Sequence, residues 1–155
     1  MTILVRDNQI EDLLATALDR GRTKRLPYAG EVTPREAHRL FTAHGARIID
    51  VRSLAEHQLI GRVPGSRLIE WKFWPGGEIN AQFLPELRRQ FPTGDMLLFL
   101  CRSGVRSHLA ATVAAEAGYH QSMNILEGFE GELDDNLQRG AHGGWRRAGL
   151  PWVQS

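Results

Sequence analysis

The stretch Met96-Leu-Leu-Phe-Leu100, followed without a break by Cys101-Arg-Ser-Gly-Val-Arg-Ser107 and then by His108-Leu-Ala-Ala-Thr-Val-Ala-Ala-Glu-Ala117, decides the fold. Five consecutive apolar residues bounded by the turn Pro92–Asp95 have the length of a strand buried on both faces. The alanine-rich run over 107–117, closed by Gly118, predicts a helix. A buried strand followed by a tight loop and a helix is the unit of an α/β sheet, and sites in such sheets lie at the carboxyl ends of the strands. Cys101 stands at that end, where a helix begins.

Upstream, Thr33-Pro-Arg-Glu36 places an N-cap, a proline at the first helical position and a capping-box glutamate, predicting a helix that stops at Gly45. Residues 46–51 (ARIIDV) predict a second buried strand, and Ser53-Leu-Ala-Glu56 a second capping box opening a short helix that ends near Gly61. Residues 66–71 (SRLIEW) suit a short strand, 83–91 a helix and 122–126 (SMNIL) a further strand. At the N-terminus, Ile10, Leu13, Leu14, Ala17 and Leu18 share one helical face, and the basic run containing Arg20, Arg22, Lys24 and Arg25 reads as a solvated linker. The expected division is an N-terminal helical extension and linker over 1–26 and an α/β domain over 27–155.

The 155 residues carry 19 Lys+Arg against 18 Asp+Glu, a net charge of +1 that excludes a global field for nucleic acid or anionic lipid. No apolar run approaches a membrane span and no secretory leader is evident, so neither nucleic acid nor membrane is expected as a partner, and the expected location is cytoplasmic. A lone cysteine forms no intrachain disulfide, and whatever it acquires must be removed by an external acceptor. The histidines at 38, 44, 57, 108, 120 and 142 have no metal-ligand spacing, so neither metal nor other cofactor is expected.

Chemistry concentrates in the loop after the central strand. Unpaired amides and the positive end of the helix dipole make an anion site there; Gly104 lets the loop curl, and Arg102 and Arg106 add full charges. A buried structural cysteine would not need two arginines, a glycine and two serines in the next six positions. A thiol of pKa near 8.5 is only ~3% ionised at pH 7. Lowering that value by about two units raises the thiolate fraction roughly 25-fold but costs about 8-fold in nucleophilicity. The larger contribution should come from holding an anionic substrate and its leaving oxyanion.

These residues resemble the rhodanese homology domain. The resemblance rests on Ile48-Ile-Asp-Val-Arg-Ser-Leu-Ala-Glu56, Gly61-Arg-Val-Pro-Gly-Ser66, the loop Cys101–Ser107, Asn124-Ile-Leu-Glu-Gly128 and the closing Gly149-Leu-Pro151, together spanning about residues 31–152. It implies a mainly parallel sheet of about five strands with helices on both faces. It also implies a Cys101 persulfide, formed from a small anionic sulfur donor such as thiosulfate and discharged to cyanide, a thiol or a thioredoxin-like protein. Cys101 is then the nucleophile, and Arg102, Ser103, Gly104, Val105, Arg106 and Ser107 form the substrate loop. The C-x4-R spacing is that of the sulfurtransferases, whereas related phosphatases and arsenate reductases carry C-x5-R. A sulfur carrier in a biosynthetic relay needs the same residues, and a non-catalytic binding module would not need Cys101.

Some positions depart from the family pattern: Arg62 replaces a common histidine, Glu127-Gly128-Phe129 a common Gly-Gly pair, and the stretch from Glu130 to Gly144 is longer than usual. Asp50, at a strand end, either orients the loop arginines or caps a turn. Arg52 and Glu56, four apart, are expected to pair. Trp71, Phe73 and Trp74 read as packed aromatics, and His108 as an exposed helix residue.

Overall fold

The computed structural model describes residues 2–154, with side chains over 8–154. Helix α1 (Thr2–Lys24) leads into β1 (Gly30–Val32), α2 (Pro34–Ala43), β2 (Arg47–Asp50), a π turn (Glu56–Ile60), β3 (Arg67–Leu68), α3 (Phe83–Gln90), β4 (Leu97–Leu100), α4 (Val105–Glu116) and β5 (Ser122–Ile125). The five strands form one parallel sheet in the order β1-β5-β4-β2-β3.

Side chains on successive strand residues point to opposite faces, and this alternation divides the core into two layers. Ile48, Leu98, Leu100, Met123 and Ile125 pack with Ile10, Ala17, Ala37 and Leu40 of α1 and α2, and with Phe129 and Trp145. Ile49, Leu97 and Phe99 pack on the other face with Phe83 and Leu87 of α3 and Ala110, Ala111 and Ala114 of α4. The alanines let α4 lie close to the sheet.

Both capping boxes form. Thr33 accepts from the Glu36 N–H at 3.2 Å while Glu36 accepts from the Thr33 N–H at 2.8 Å. Ser53 and Glu56 exchange the corresponding bonds at 3.2 and 3.1 Å, although the turn they open is wound as π rather than α.

Three elements differ from the sequence reading. Strand β1 went unread because its three residues, Gly-Glu-Val, carry no apolar run; parallel pairing with β5 makes it a strand. The basic stretch expected as a linker is helical to Lys24. Arg20 grips Glu36 at 2.6 Å and Lys24 pairs with Glu31, so these cations tie α1 to the strand and helix that follow. Gly21 and Gly30 make the close approach possible, since a Cβ at Gly21 would lie 2.3 Å from the Ala29 carbonyl oxygen and one at Gly30 2.3 Å from that of Ala17. Finally, α4 begins at Val105, two residues earlier than its alanine run suggests, which places Arg106 in its first turn.

Strands β2 and β4 are neighbours, with Asp50 opposite Leu100. The chain leaves β2 toward β3 at one edge and leaves β4 toward β5 on the other side. The crevice between such diverging connections is where an open parallel sheet binds ligands. The loop after β2 supplies Ser53 and Glu56, and the loop after β4 supplies Cys101.

Candidate active site

Cys101 lies just beyond the last residue of β4, and its side chain is only 1% exposed. Gly104, at φ +113°, turns the chain so that its N–H donates to Cys101 Sγ at 3.1 Å. That φ is open to glycine at little cost, which is what the loop needs at the N-cap of α4. Ser107 Oγ lies 3.2 Å from the sulfur and donates to Asn124 Oδ1 at 2.6 Å. Asn124 in turn donates from Nδ2 to the Gly104 carbonyl at 3.3 Å, so β5 fixes both ends of the loop. The backbone N–H groups of the first turn of α4 have no intrahelical acceptor and give this end its positive potential.

The two loop arginines are held differently. Arg106 makes two short bonds to the Glu56 carboxylate, 2.6 and 2.9 Å, so its fork is already occupied. Burial alone would raise the Glu56 carboxyl, but the hydrogen bonds and charge of Arg106, with help from Ser53, hold it below the ordinary value. Burial works against the Arg106 guanidinium too, and Glu56 raises it regardless. Arg102 is exposed and faces the cleft. Of the two, it is the cation open to an incoming anion.

The expected Arg52–Glu56 pair does not form, because the turn at Ser53 sends the two side chains apart. Arg52 bonds Asp50 instead, through Nε at 3.0 Å and Nη2 at 2.8 Å, and both side chains are fully buried. Its guanidinium lies 4.4 Å over the Phe129 ring. Asp50 also meets His57 Nδ1 at 2.9 Å. Burial would raise the Asp50 carboxyl, and His57 and Arg52 together bring it below the ordinary value. Asp50 therefore fastens the β2 loop and does not touch Arg102 or Arg106. His108, expected to be exposed, is half-buried and meets Tyr28 Oη at 2.7 Å.

A second backbone segment braces the loop from behind. The N–H groups of Phe129 and Glu130 donate to the carbonyls of Cys101 and Arg102 at 2.8 and 3.0 Å. Gly128, at φ +65°, permits this approach, since a Cβ there would lie 2.5 Å from the Arg102 carbonyl.

Above the sulfur opens a cleft of about 770 Å3 whose walls include Glu56, Leu59, Lys72, Trp74, Cys101, Arg102, Ser103, Val105, Arg106, Glu130 and Arg139. Among the loop residues read from the sequence, Cys101, Arg102, Ser103, Val105 and Arg106 line it, whereas Gly104 and Ser107 support the sulfur from within. Glu56, Asn124, Lys72 and Arg139 escaped the sequence reading as site residues. A capping-box glutamate gives no sign of a second partner fifty residues away. Trp71 packs edge-on against Phe83 as expected of a core aromatic, but Trp74 stands at the cleft.

The model of the rhodanese-like domain family matches residues 33–132. The chain belongs to the rhodanese-like family. An uncharacterized protein of Rickettsia prowazekii is 32% identical over 117 residues, 73% of this chain and 87% of that one. The crystal structure of Rv0390 from M. tuberculosis superimposes with a TM-score of 0.74 at 43% identity, covering 83% of this chain and 99% of the other. A more distant relative, the thiosulfate sulfurtransferase GlpE of Actinobacillus succinogenes, is 26% identical over 78% of this chain and 87% of its own. The mainly parallel sheet of about five strands that the resemblance implied is present, and it is the rhodanese fold. Among the described residues no helix is long and apolar enough to cross a membrane.

Proposed function

We propose that this protein is a thiosulfate sulfurtransferase working through a persulfide on Cys101. The observation that carries this reading is the sulfur of Cys101 accepting the Gly104 N–H at 3.1 Å, on the floor of a cation-lined cleft at the start of α4. In the first step the Cys101 thiolate attacks the outer sulfur of thiosulfate. The S–S bond of the donor breaks, its electron pair leaves with sulfite, and Cys101 becomes a persulfide anion. Three negative charges enter and three remain, so no redox partner is required.

Arg102 holds the donor and meets the charge that grows on departing sulfite, through charge-assisted hydrogen bonds. The first-turn amides do the same work as fixed dipoles. In the second step a thiophilic acceptor attacks the outer sulfur of the persulfide: cyanide leaves as thiocyanate, a thiolate leaves as a persulfide, and the Cys101 thiolate returns. The same chemistry serves a sulfur carrier in a relay, which differs only in its acceptor.

Intact-mass measurement before and after thiosulfate tests the proposal. The expected result is a gain of one sulfur atom that cyanide removes, absent in Cys101→Ser, whose circular dichroism matches the parent. Persulfide formation in Cys101→Ser, or none in the parent, overturns it. Turnover of aryl phosphates is expected to be negligible, because the C-x4-R loop is short for a tetrahedral phosphate.

A further inference from the structure

The cleft is far larger than the donor needs. About 770 Å3 falls in the range of sites that enclose whole organic ligands, roughly 300–1,000 Å3, whereas thiosulfate has five heavy atoms. Its rim is also unusual for a surface meeting only water. Leu59, Trp74 and Val105, all lining the cleft, are 71%, 72% and 70% exposed. Trp74 sits on a hairpin closed by the Lys72–Ile79 bridge, which also exposes Phe73 and Ile79. Exposed apolar groups gathered at one place mark an interaction site more often than chance scatter does.

Charge in the cleft is one-sided once its ion pairs are set aside. Glu56 is spent on Arg106, and Glu130 lies 3.7 Å from Arg146. Among the described residues, Lys72, Arg102 and Arg139 have no carboxylate partner, and Arg139 donates to the Gly131 carbonyl at 2.8 Å. Arg139 comes from the long 130–144 stretch and Lys72 from the hairpin, so two connections far apart in the sequence bring positive charge to one opening. The sulfur lies beneath, 1% exposed, out of reach of a flat protein face.

We propose that the physiological acceptor is a polypeptide that lays an extended, acidic segment with aliphatic side chains across this cleft, its thiol reaching down to the Cys101 persulfide. Leu59 and Val105 contact its aliphatic groups, Trp74 covers it from the hairpin side, and Lys72 and Arg139 bind its carboxylates. A nucleic acid suits the surface less well, since Trp74 is the one aromatic ring among the lining residues on which a base could stack and the chain's net charge of +1 gives no overall field for phosphates. The inference rests on the sulfurtransferase reading for the role of the thiol, but the docking itself does not.

Two measurements separate the two. The first is calorimetric binding of the synthetic peptide Asp-Glu-Leu-Leu-Asp-Ser to the full chain, which needs no sulfur chemistry. Binding is expected for the parent and should weaken about tenfold or more in Trp74→Ala and in Lys72→Glu; the counterpart Lys-Lys-Leu-Leu-Lys-Ser should not bind. The second is discharge of the loaded persulfide to Asp-Glu-Leu-Leu-Asp-Cys and to cyanide, with Trp74→Ala expected to lower the peptide rate about tenfold more than the cyanide rate. Equal binding of the two peptides, unchanged peptide-to-cyanide ratios, displacement by a short RNA or occupation of the cleft by a second copy in sedimentation would overturn the docking proposal. Peptide binding without any persulfide would overturn only the sulfurtransferase reading.

Discussion

Replacing Arg106 by Gln leaves the Glu56 carboxylate, about four-fifths buried, with only Ser53 to answer it. A buried polar group stripped of its partner costs about 1–3 kcal/mol, a floor for a charged one that keeps only the bonds from Ser53. For a chain of this size that is a fall of roughly 2–12 °C in Tm. Replacing Arg102 by Gln breaks no side-chain bond among the described residues, so its Tm should hold while the KM for thiosulfate rises about tenfold to a hundredfold. Thermal melts and steady-state kinetics of both variants check the contrast. Equal melting losses, or a thiosulfate KM unmoved in Arg102→Gln, would contradict the assignment of Arg102 as the open cation. The sequence presents these two arginines as equals, four apart in one loop; only the position of Glu56 divides them.

At the scale of elements, the Cys101 loop is a strand-to-helix turn clamped from both sides, by Asn124 on β5 and by the 128–130 backbone. Gly128→Ala tests the second clamp. The φ of +65° costs a non-glycine residue about 1–3 kcal/mol, and the new methyl would meet the Arg102 carbonyl at 2.5 Å. The loop must shift, so sulfur transfer is expected to fall more than tenfold while the far-ultraviolet spectrum persists. Retained activity would show that the clamp is dispensable. Helix boundaries were legible where capping boxes announce them, at Thr33 and Ser53. They were not at Val105, because a glycine N-cap with no side-chain acceptor leaves no mark in the sequence.

Over the whole molecule, pH reports which buried groups the fold holds charged and which neutral. Asp50 and Glu56 both lie below their ordinary values in the folded state. The unfolded chain takes up protons at these positions first, near pH 4, so their stabilisation is full above that range and is lost as pH falls through the folded values. Tm should therefore drop steeply below about pH 4, and the double variant Glu56→Gln, Arg106→Gln should show a shallower drop. Tyr28 works in the opposite direction. Burial, with Glu31 nearby, pushes its hydroxyl up to about 12, so the stabilisation present below pH 10 is lost as pH rises from about 10 toward 12. Tyr28→Phe should flatten the alkaline limb; an unchanged profile in either variant would refute the corresponding group.

Taken alone, the sequence determined the α/β class and the buried central strand, and it placed Cys101 at the end of that strand in a loop of two arginines, a glycine and two serines. Each of these is local: apolar runs, caps and loop composition act over a few residues, within the reach of one strand or one helical turn. Tertiary structure decided the rest. Placing β2 beside β4 brought Glu56 to Arg106, pairing β5 with β4 brought Asn124 to Ser107, and the long connections after β3 and β5 supplied Lys72, Trp74 and Arg139 to the cleft. Contacts between residues fifty or more apart depend on strand order. Strand order follows from which faces bury best together, and no local pattern encodes that.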